Sequence, residues 1–294
     1  MSSAARVRGF LRQGRCDTPP MLSTLFYHAA RIDGAGFDEL FAEPSRLTAA
    51  LLNQHHLFGT DAVAVRFDAV LFARLAGLPI DWAAPIPAVQ WDDADVADWP
   101  PEPESAIAAA SQLVDVVGRL ASELRRQVPV MAVLPGPGRL AAPGEAADRQ
   151  ERATRLLRGL ADTICQAGAN IVLLEEDGEA SKALLAPIVN TTRYFNAAPI
   201  LSAPNMPDKM PADAILLSEA AWQAADPAPR RCGVTVPAEC LDDAGKCDDF
   251  QARLRAVPAP VFLSMGDDVA LDHPTADGVA VHRALAGLTF DSVA

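Results

Sequence analysis

The sequence predicts an α/β protein built as a single (β/α)8 TIM-type barrel. Three observations carry that prediction: eight short apolar runs recur along the chain, helical spacing separates most of them, and 50% of the 294 residues are hydrophobic. A half-apolar chain of this length can bury a large core, which excludes a disordered or fibrous protein. One domain suffices, because α/β barrels use such lengths as a single unit. Residues 1–18 read as an N-terminal segment and residues 19–294 as the barrel.

The runs are Met21–Tyr27, Asp61–Phe67, Val128–Leu134, Asn170–Leu174, Ala198–Ser202, Asp213–Leu217, Cys232–Val236 and Pro260–Ser264. None alternates strictly between polar and apolar, so each is expected to be a strand covered on both faces. Between them, Phe37–Phe58 repeats apolar residues every three or four positions, with Pro44 marking a new start. Ser105–Leu124 places Ile107, Val114, Val117, Leu120 and Leu124 on one helical face. Ala146–Gln166 and Asp248–Ala256 have the same character, and Pro274–Leu288 opens on proline and reads as a closing helix. Strand–helix alternation of this kind implies a parallel sheet, and eight strands fit a closed barrel; an open doubly wound sheet is the second reading. One connection, Pro79–Pro103, is rich in tryptophan, proline and aspartate. It is either a solvated rim loop or a lid over the barrel mouth.

Charge and cysteine usage narrow the partners. Lys plus Arg total 25 against 38 Asp plus Glu, a net charge of -13. A nucleic-acid backbone would be repelled by most of such a surface. No uninterrupted apolar run is long enough to span a bilayer. The basic N-terminus MSSAARVRGFLRQGRCD lacks an apolar stretch, so a cytoplasmic location is expected. Cys16, Cys165, Cys232, Cys240 and Cys247 form no C-x-x-C pair and read as reduced, mostly buried thiols.

Active sites of such barrels lie at the C-terminal ends of the strands. Residues at or just beyond the predicted strand ends are Tyr27, His28 and Arg31; Arg66 and Asp68; Arg139 in the loop PGPGR; Glu175, Glu176 and Asp177; Asn205; Glu219; and Asp267, with His273 further on. Carboxylates crowded in one mouth raise one another's pKa, so one can stay protonated near neutrality and act as a general acid. Each of them can equally be a helix N-cap or first-turn residue, because strand ends run into helix starts. The glycines of PGPGR free N–H groups for an anion, while its two prolines favour a rigid turn.

The stretch GTDAVAVRFDAVLFARLAGLPIDW, from Gly59 to Trp82, resembles the uroporphyrinogen decarboxylase superfamily. LRQGRCDTPPML, FDELFAEPSRLTAALL and PVFLSMGDDVALDHPTADGVAVHRAL resemble its opening segment, its following helix pair and its last strand and helix. The resemblance implies a (β/α) barrel and two possible chemistries. In the decarboxylases, an aspartate matching Asp68 contacts pyrrole N–H groups, and a first-strand segment with two arginines binds substrate carboxylates. Here that segment is LFYHAARIDG, in which only Arg31 matches, and Asp267 stands where the family has a histidine. The second branch transfers methyl groups from corrinoid proteins and holds zinc with a His-x-Cys pair and a cysteine. The matching places read LSAPN and SMGDD, with no thiolate or imidazole ligand.

The expected function is cofactor-independent, decarboxylation-type lyase chemistry on a small or medium organic substrate. Asp68, Asp267, Glu175 and Glu219 are the acid–base candidates, and Tyr27, His28, Arg31, Arg66, Arg139, Asn205 and His273 the substrate contacts. No metal or cofactor is expected, and a homodimer is compatible with the sequence. A corrinoid protein enters only under the methyl-transfer alternative; a non-catalytic ligand-binding barrel is the third reading. The first-strand arginine that this chain lacks would give charge-assisted hydrogen bonds worth about 1.5–3 kcal/mol each. Uroporphyrinogen is therefore expected to be decarboxylated little or not at all; anaerobic incubation followed by product chromatography checks this, and brisk coproporphyrinogen formation would contradict it.

Overall fold

The computed structural model describes the chain except for residues 1, 15, 83, 85, 91–98, 142–146, 179–180, 208–209, 226–230, 257–260, 268–272 and 289–294. Seven parallel strands form one curled sheet in the order β1 (Val63–Arg66), β4 (Val130–Pro135), β5 (Ile171–Glu175), β6 (Ala198–Ser202), β7 (Ala214–Leu217), β8 (Cys232–Thr235) and β9 (Val261–Ser264). A separate antiparallel ribbon, β2 (Ile80–Asp81) with β3 (Ala88–Val89), lies in the long connection after β1. The structure has the (β/α) barrel architecture that the alternation predicts.

The first predicted strand, Met21–Tyr27, differs from the others. It is extended at its start and carries a single parallel bridge, Met21 to Leu263 of β9. Leu263 N donates to Pro20 O, Leu22 N to Leu263 O and Thr24 N to Met265 O, at 2.8, 2.8 and 3.0 Å. On its other side, Asp61 N donates to Met21 O at 2.8 Å. This segment therefore spans the seam between the two edge strands β9 and β1. Its ladder is short for stereochemical reasons. Pro19 and Pro20 have no N–H to give, and the Met21 N–H goes to the Asp61 carboxylate at 3.0 Å.

Burial on both sides explains the uninterrupted apolar runs. Successive strand residues point to opposite faces, so Val63, Val65, Ala132 and Val172 pack toward the outer helices while Ala64, Met131, Val133 and Leu173 fill the barrel. Long helices cover the outside, among them Pro44–Phe58, Ser111–Glu123, Ala147–Ala167 and Ala244–Arg255. The apolar stretch predicted over Ser105–Leu124 divides at Ala110 into Pro103–Ala109 and Ser111–Glu123.

Helix Ser3–Gln13 lies within the segment whose sequence speaks first through its charge. Its signal is the spacing of Val7, Phe10 and Leu11, one apolar stripe between an N-cap Ser2 and a left-handed Gly14. That stripe joins the barrel interior, where Phe10 meets Phe262 edge to face at 5.7 Å. Arg6 pairs with the buried Asp61 at 3.1 Å and fastens the helix to the seam. Phe262 in turn lies over Gly233 of β8, where a Cβ would overlap its ring.

All five cysteines are free thiols, four of them buried. Burial pushes Cys16, Cys165, Cys232 and Cys240 up to about 12, which leaves little reactive thiolate. Among the described residues no helix is long and apolar enough to cross a membrane.

The barrel floor gives a direct test. Phe10→Ala removes a wholly buried ring and is expected to destabilise the fold by about 3–5 kcal/mol, as measured by urea denaturation. A loss below about 1 kcal/mol would mean the helix rests on the barrel without plugging it.

Candidate functional site

A cavity of about 430 Å³ opens at the C-terminal ends of the strands. Hydroxyl side chains form part of its lining: Thr24, Ser202, Thr235 and Ser264. The last three close strands β6, β8 and β9, and Thr235 pairs directly with Ser264. Ile86, Pro87 and Val89 from the ribbon after β1 wall one side. Part of the Pro79–Pro103 connection therefore borders the mouth, whereas its residues 91–98 lie outside the described residues. Trp99 is buried beside it and donates from Nε1 to Leu140 O at 2.6 Å.

Charge in the cavity is organised around Glu175, the last residue of β5. Arg66, the last residue of β1, reaches across β4 and grips both Glu175 oxygens, Nη1 to Oε2 at 2.7 Å and Nη2 to Oε1 at 3.1 Å. Paired forks of this kind fix both orientation and charge. Burial alone would depress the Arg66 guanidinium, but Glu175, with Asp68 and Asp267 nearby, raises it above its ordinary value. Arg139 adds a third bond to Glu175 Oε2 at 3.0 Å and lies 3.5 Å from Asp177. Its side chain is 42% exposed, so it can exchange partners with an incoming anion at small cost.

The loop PGPGR already holds an anion of the protein's own. Gly138 N and Arg139 N donate to the two oxygens of Glu176 at 3.2 and 3.1 Å. Glycine is required here by close approach, because a Cβ on Gly136 would overlap the Glu176 carboxyl group. Burial raises the Glu176 pKa, and the two backbone bonds oppose that rise.

Asp68 and Asp267 stand on either side of Tyr27. Asp68 is the N-cap of helix Ala69–Ala76 and accepts from Val70 N at 3.0 Å. Its other oxygen accepts from the Tyr27 hydroxyl at 2.6 Å. Capping and cavity lining are thus two duties of one carboxylate. Burial and then Asp68 push the Tyr27 phenol well above its ordinary value, so it remains a proton donor. Asp267 accepts from Phe26 N at 2.9 Å and from His28 N at 2.9 Å. Burial raises its pKa to about 6, against the lowering pull of Arg66 and of these amide bonds.

Six of the eleven residues given acid–base or substrate-contact roles from sequence line the cavity: Tyr27, Arg66, Asp68, Arg139, Glu175 and Asp267. The other five do not. The buried His28 ring packs edge-on against Phe58, with Nε2 3.4 Å from Thr275 Oγ1, and burial lowers its pKa to about 4. Arg31 donates to His273 O at 2.9 Å, and His273 Nε2 lies 2.9 Å from Asp242 Oδ1. Asn205 is exposed beyond β6. Glu219 sits in the first turn of the helix after β7, capped by Ser218, and pairs with Arg253 at 2.6 Å. Counting residues from a strand end misplaces it, because the capped helix turns its first residue outward. Sequence reasoning misses the hydroxyl residues, although Ser202 and Ser264 each end an apolar run.

Among the described residues no group of three or more His, Cys, Asp and Glu could hold a metal ion. The ends of β6 and β9 offer Ser202, Ala203, Ser264 and Met265, which does not fit the thiolate and imidazole donors of a zinc site.

Asp267 makes stability depend on pH with a definite sign. Its pKa is raised in the fold, so its contribution is complete below about 4 and is lost as pH rises through about 6. The loss amounts to about 3 kcal/mol. Buried His28 and His282, both lowered to about 4, act oppositely and cost stability as pH falls from the ordinary histidine range. Urea denaturation from pH 4.5 to 7.5 should therefore show a shallower alkaline decline in Asp267→Asn than in the wild type. Parallel profiles would show that Asp267 does not titrate in this window.

A profile for "Uroporphyrinogen decarboxylase (URO-D)" matches residues 3–187. A search of curated proteins found no match. Among solved structures, the chain is similar to a methyltransferase from Methanosarcina mazei, with a TM-score of 0.73, 15% identity, and coverage of 97% of this chain and 98% of the other. The TTHB071 protein from Thermus thermophilus, in a crystal soaked with ZnCl2, gives a TM-score of 0.45 at 14% identity, covering 92% and 98%. An HpcH/HpaI aldolase from Desulfitobacterium hafniense gives 0.41 at 13% identity, covering 96% and 98%. The first likeness bears on the fold alone. The match over residues 3–187 includes β1 with Arg66 and Asp68 as well as Arg139 and Glu175, and on that ground the chain belongs to the uroporphyrinogen decarboxylase family.

Proposed function

We propose that this chain is an enzyme that decarboxylates a small organic acid by acid–base chemistry, without a cofactor. The observation that carries the reading is the convergence, in one cavity of about 430 Å³, of an exchangeable arginine and a carboxyl group with a pKa of about 6. Arg139 turns from Glu175 to the substrate carboxylate, while Arg66, held by both Glu175 oxygens, keeps a fixed positive charge beneath it. The Tyr27–Asp68 pair orients the substrate through an N–H or O–H group given to Asp68. The bond from carbon to the carboxylate then breaks, CO2 leaves, and the electron pair stays on carbon. Asp267 in its acid form gives its proton to that carbon and is reprotonated from solvent. The volume lies at the small end of ligand pockets, which suits a compact acid better than a tetrapyrrole with carboxylates on every arm.

A second reading, methyl transfer, is favoured by the likeness to the Methanosarcina mazei methyltransferase. The serines that end β6 and β9 speak against a zinc-activated thiol there.

The test is release of labelled CO2 from a panel of small keto, phenolic and heteroaromatic carboxylic acids. Turnover is expected to fall as pH rises through about 6, as the acid form of Asp267 is lost. Asp267→Asn should lower it by about 10²–10⁴-fold. Methyl transfer from methylcobalamin to a thiol, with no CO2 released from any acid, would replace this reading with the second.

A further inference from the structure

A second cavity, of about 740 Å³, lies at the opposite end of the barrel, beneath helix Ser3–Gln13. We infer that it is a binding site for a small organic polyanion, one carrying phosphate or carboxylate groups on a compact body.

Its electrostatics run against the rest of the molecule. On a chain of net charge -13, the cavity is lined by Arg8, Arg12 and Arg126 and by no carboxylate. Among the described residues none of these three guanidinium groups is engaged in an ion pair or a side-chain hydrogen bond, although Arg12 O accepts from Arg231 at 3.2 Å. The carboxylate bonded to a lining residue is Asp162, which accepts from Gln166 Nε2 at 2.6 Å.

The ends of Ser111–Glu123 and Ala147–Ala167 also face this cavity, through Ala121, Ser122 and Ala167. The last turn of Ser3–Gln13, which carries Arg12, lines it too, and with about half a negative charge at each C-terminus the three ends offset about half of the three arginine charges. More than one positive charge is left for a ligand to neutralise. Capping the helix ends therefore does not account for the full arginine set.

The backbone supports the same conclusion. Among the described residues, the non-glycine positions with positive φ are Arg125 (47°), Arg126 (60°) and Asn196 (59°). Two of the three line this cavity and the third is adjacent to one of them. Left-handed positions after helices are the ordinary places for glycine, and Gly168, also lining the cavity, is one at φ 115°. Two consecutive arginines there carry a conformational cost, and they bring a guanidinium to the cavity rim.

The rest of the lining suits the body of such a ligand. Phe195 and Leu11 give apolar wall, while Ser122 and Asn196 offer polar groups. Asn170 uses its Oδ1 to accept from Val130 N at 3.1 Å, which leaves its amide NH2 for an oxyanion. Guanidinium forks match carboxylate and phosphate oxygens in pairs.

Calorimetric titration of the full chain with AMP, citrate and inorganic phosphate at low salt tests the site. Binding of AMP or citrate with a Kd below about 1 mM is expected, weakening as salt is added. Arg12→Gln and Arg126→Gln should each weaken it by about tenfold or more, whereas Asp68→Asn at the other end of the barrel should leave it unchanged. These arginines are exposed, so folding of the variants is readily confirmed by circular dichroism. AMP alone binding would identify a phosphorylated ligand with a planar body, and citrate alone a polycarboxylate. No binding of any probe at about 10 mM, or binding that Asp68→Asn abolishes and the arginine variants leave intact, would overturn the site.

Discussion

The mouth of this barrel depends on how its seam is closed. The segment from Pro20 to His28 lies between the edge strands β9 and β1 with only a short ladder on either side, and carboxylates supply what the ladder lacks. Asp61 takes the Met21 N–H at the bottom, and Asp267 takes the Phe26 and His28 N–H groups at the top. With both ends pinned, the Tyr27 hydroxyl has one place to go, the Oδ2 atom of Asp68 on the far side of the seam. The cost of burying Asp267 is visible in its raised pKa. The same residue therefore closes the fold and keeps its carboxyl group in the acid form up to about pH 6.

The strands are legible because a sheet covered on both faces must be written in unbroken apolar residues, and Val130–Pro135 and Ile171–Glu175 are. The mouth is partly legible for the same reason, since knowing where β1 and β5 end places Arg66 and Glu175 at the same end of the barrel. Three features are not. The N-terminal helix hides behind its charge, although Val7, Phe10 and Leu11 already carry a helical stripe. Counting along the chain misplaces Glu219 and Asn205, because the direction of a side chain after a strand depends on how the next helix is capped or how far the loop has run. The pairing of Arg66 with Glu175 spans 109 positions and has no local signature.

The two ends of the barrel treat charge differently. At the mouth, Arg66 and Arg139 are both paired with Glu175, the first buried beneath the cavity and the second exposed at its rim. At the floor the arginines stand over helix C-termini with no carboxylate in the lining. Between the two ends lies a packed hydrophobic interior that includes Phe10, Met131, Leu173 and Phe262.

The glycines beside Glu176 have an evolutionary consequence. Gly138 and Arg139 present their N–H groups in the manner of an anion nest, and a side chain of the same barrel fills it. The nest is filled from within, so these two donors are spent on the chain itself. A mutation that exchanged Glu176 for a small neutral residue would leave both N–H groups without their carboxylate, beside the exposed Arg139. The place of Glu176 is thus one at which a single substitution changes the charge and the donors of the rim together.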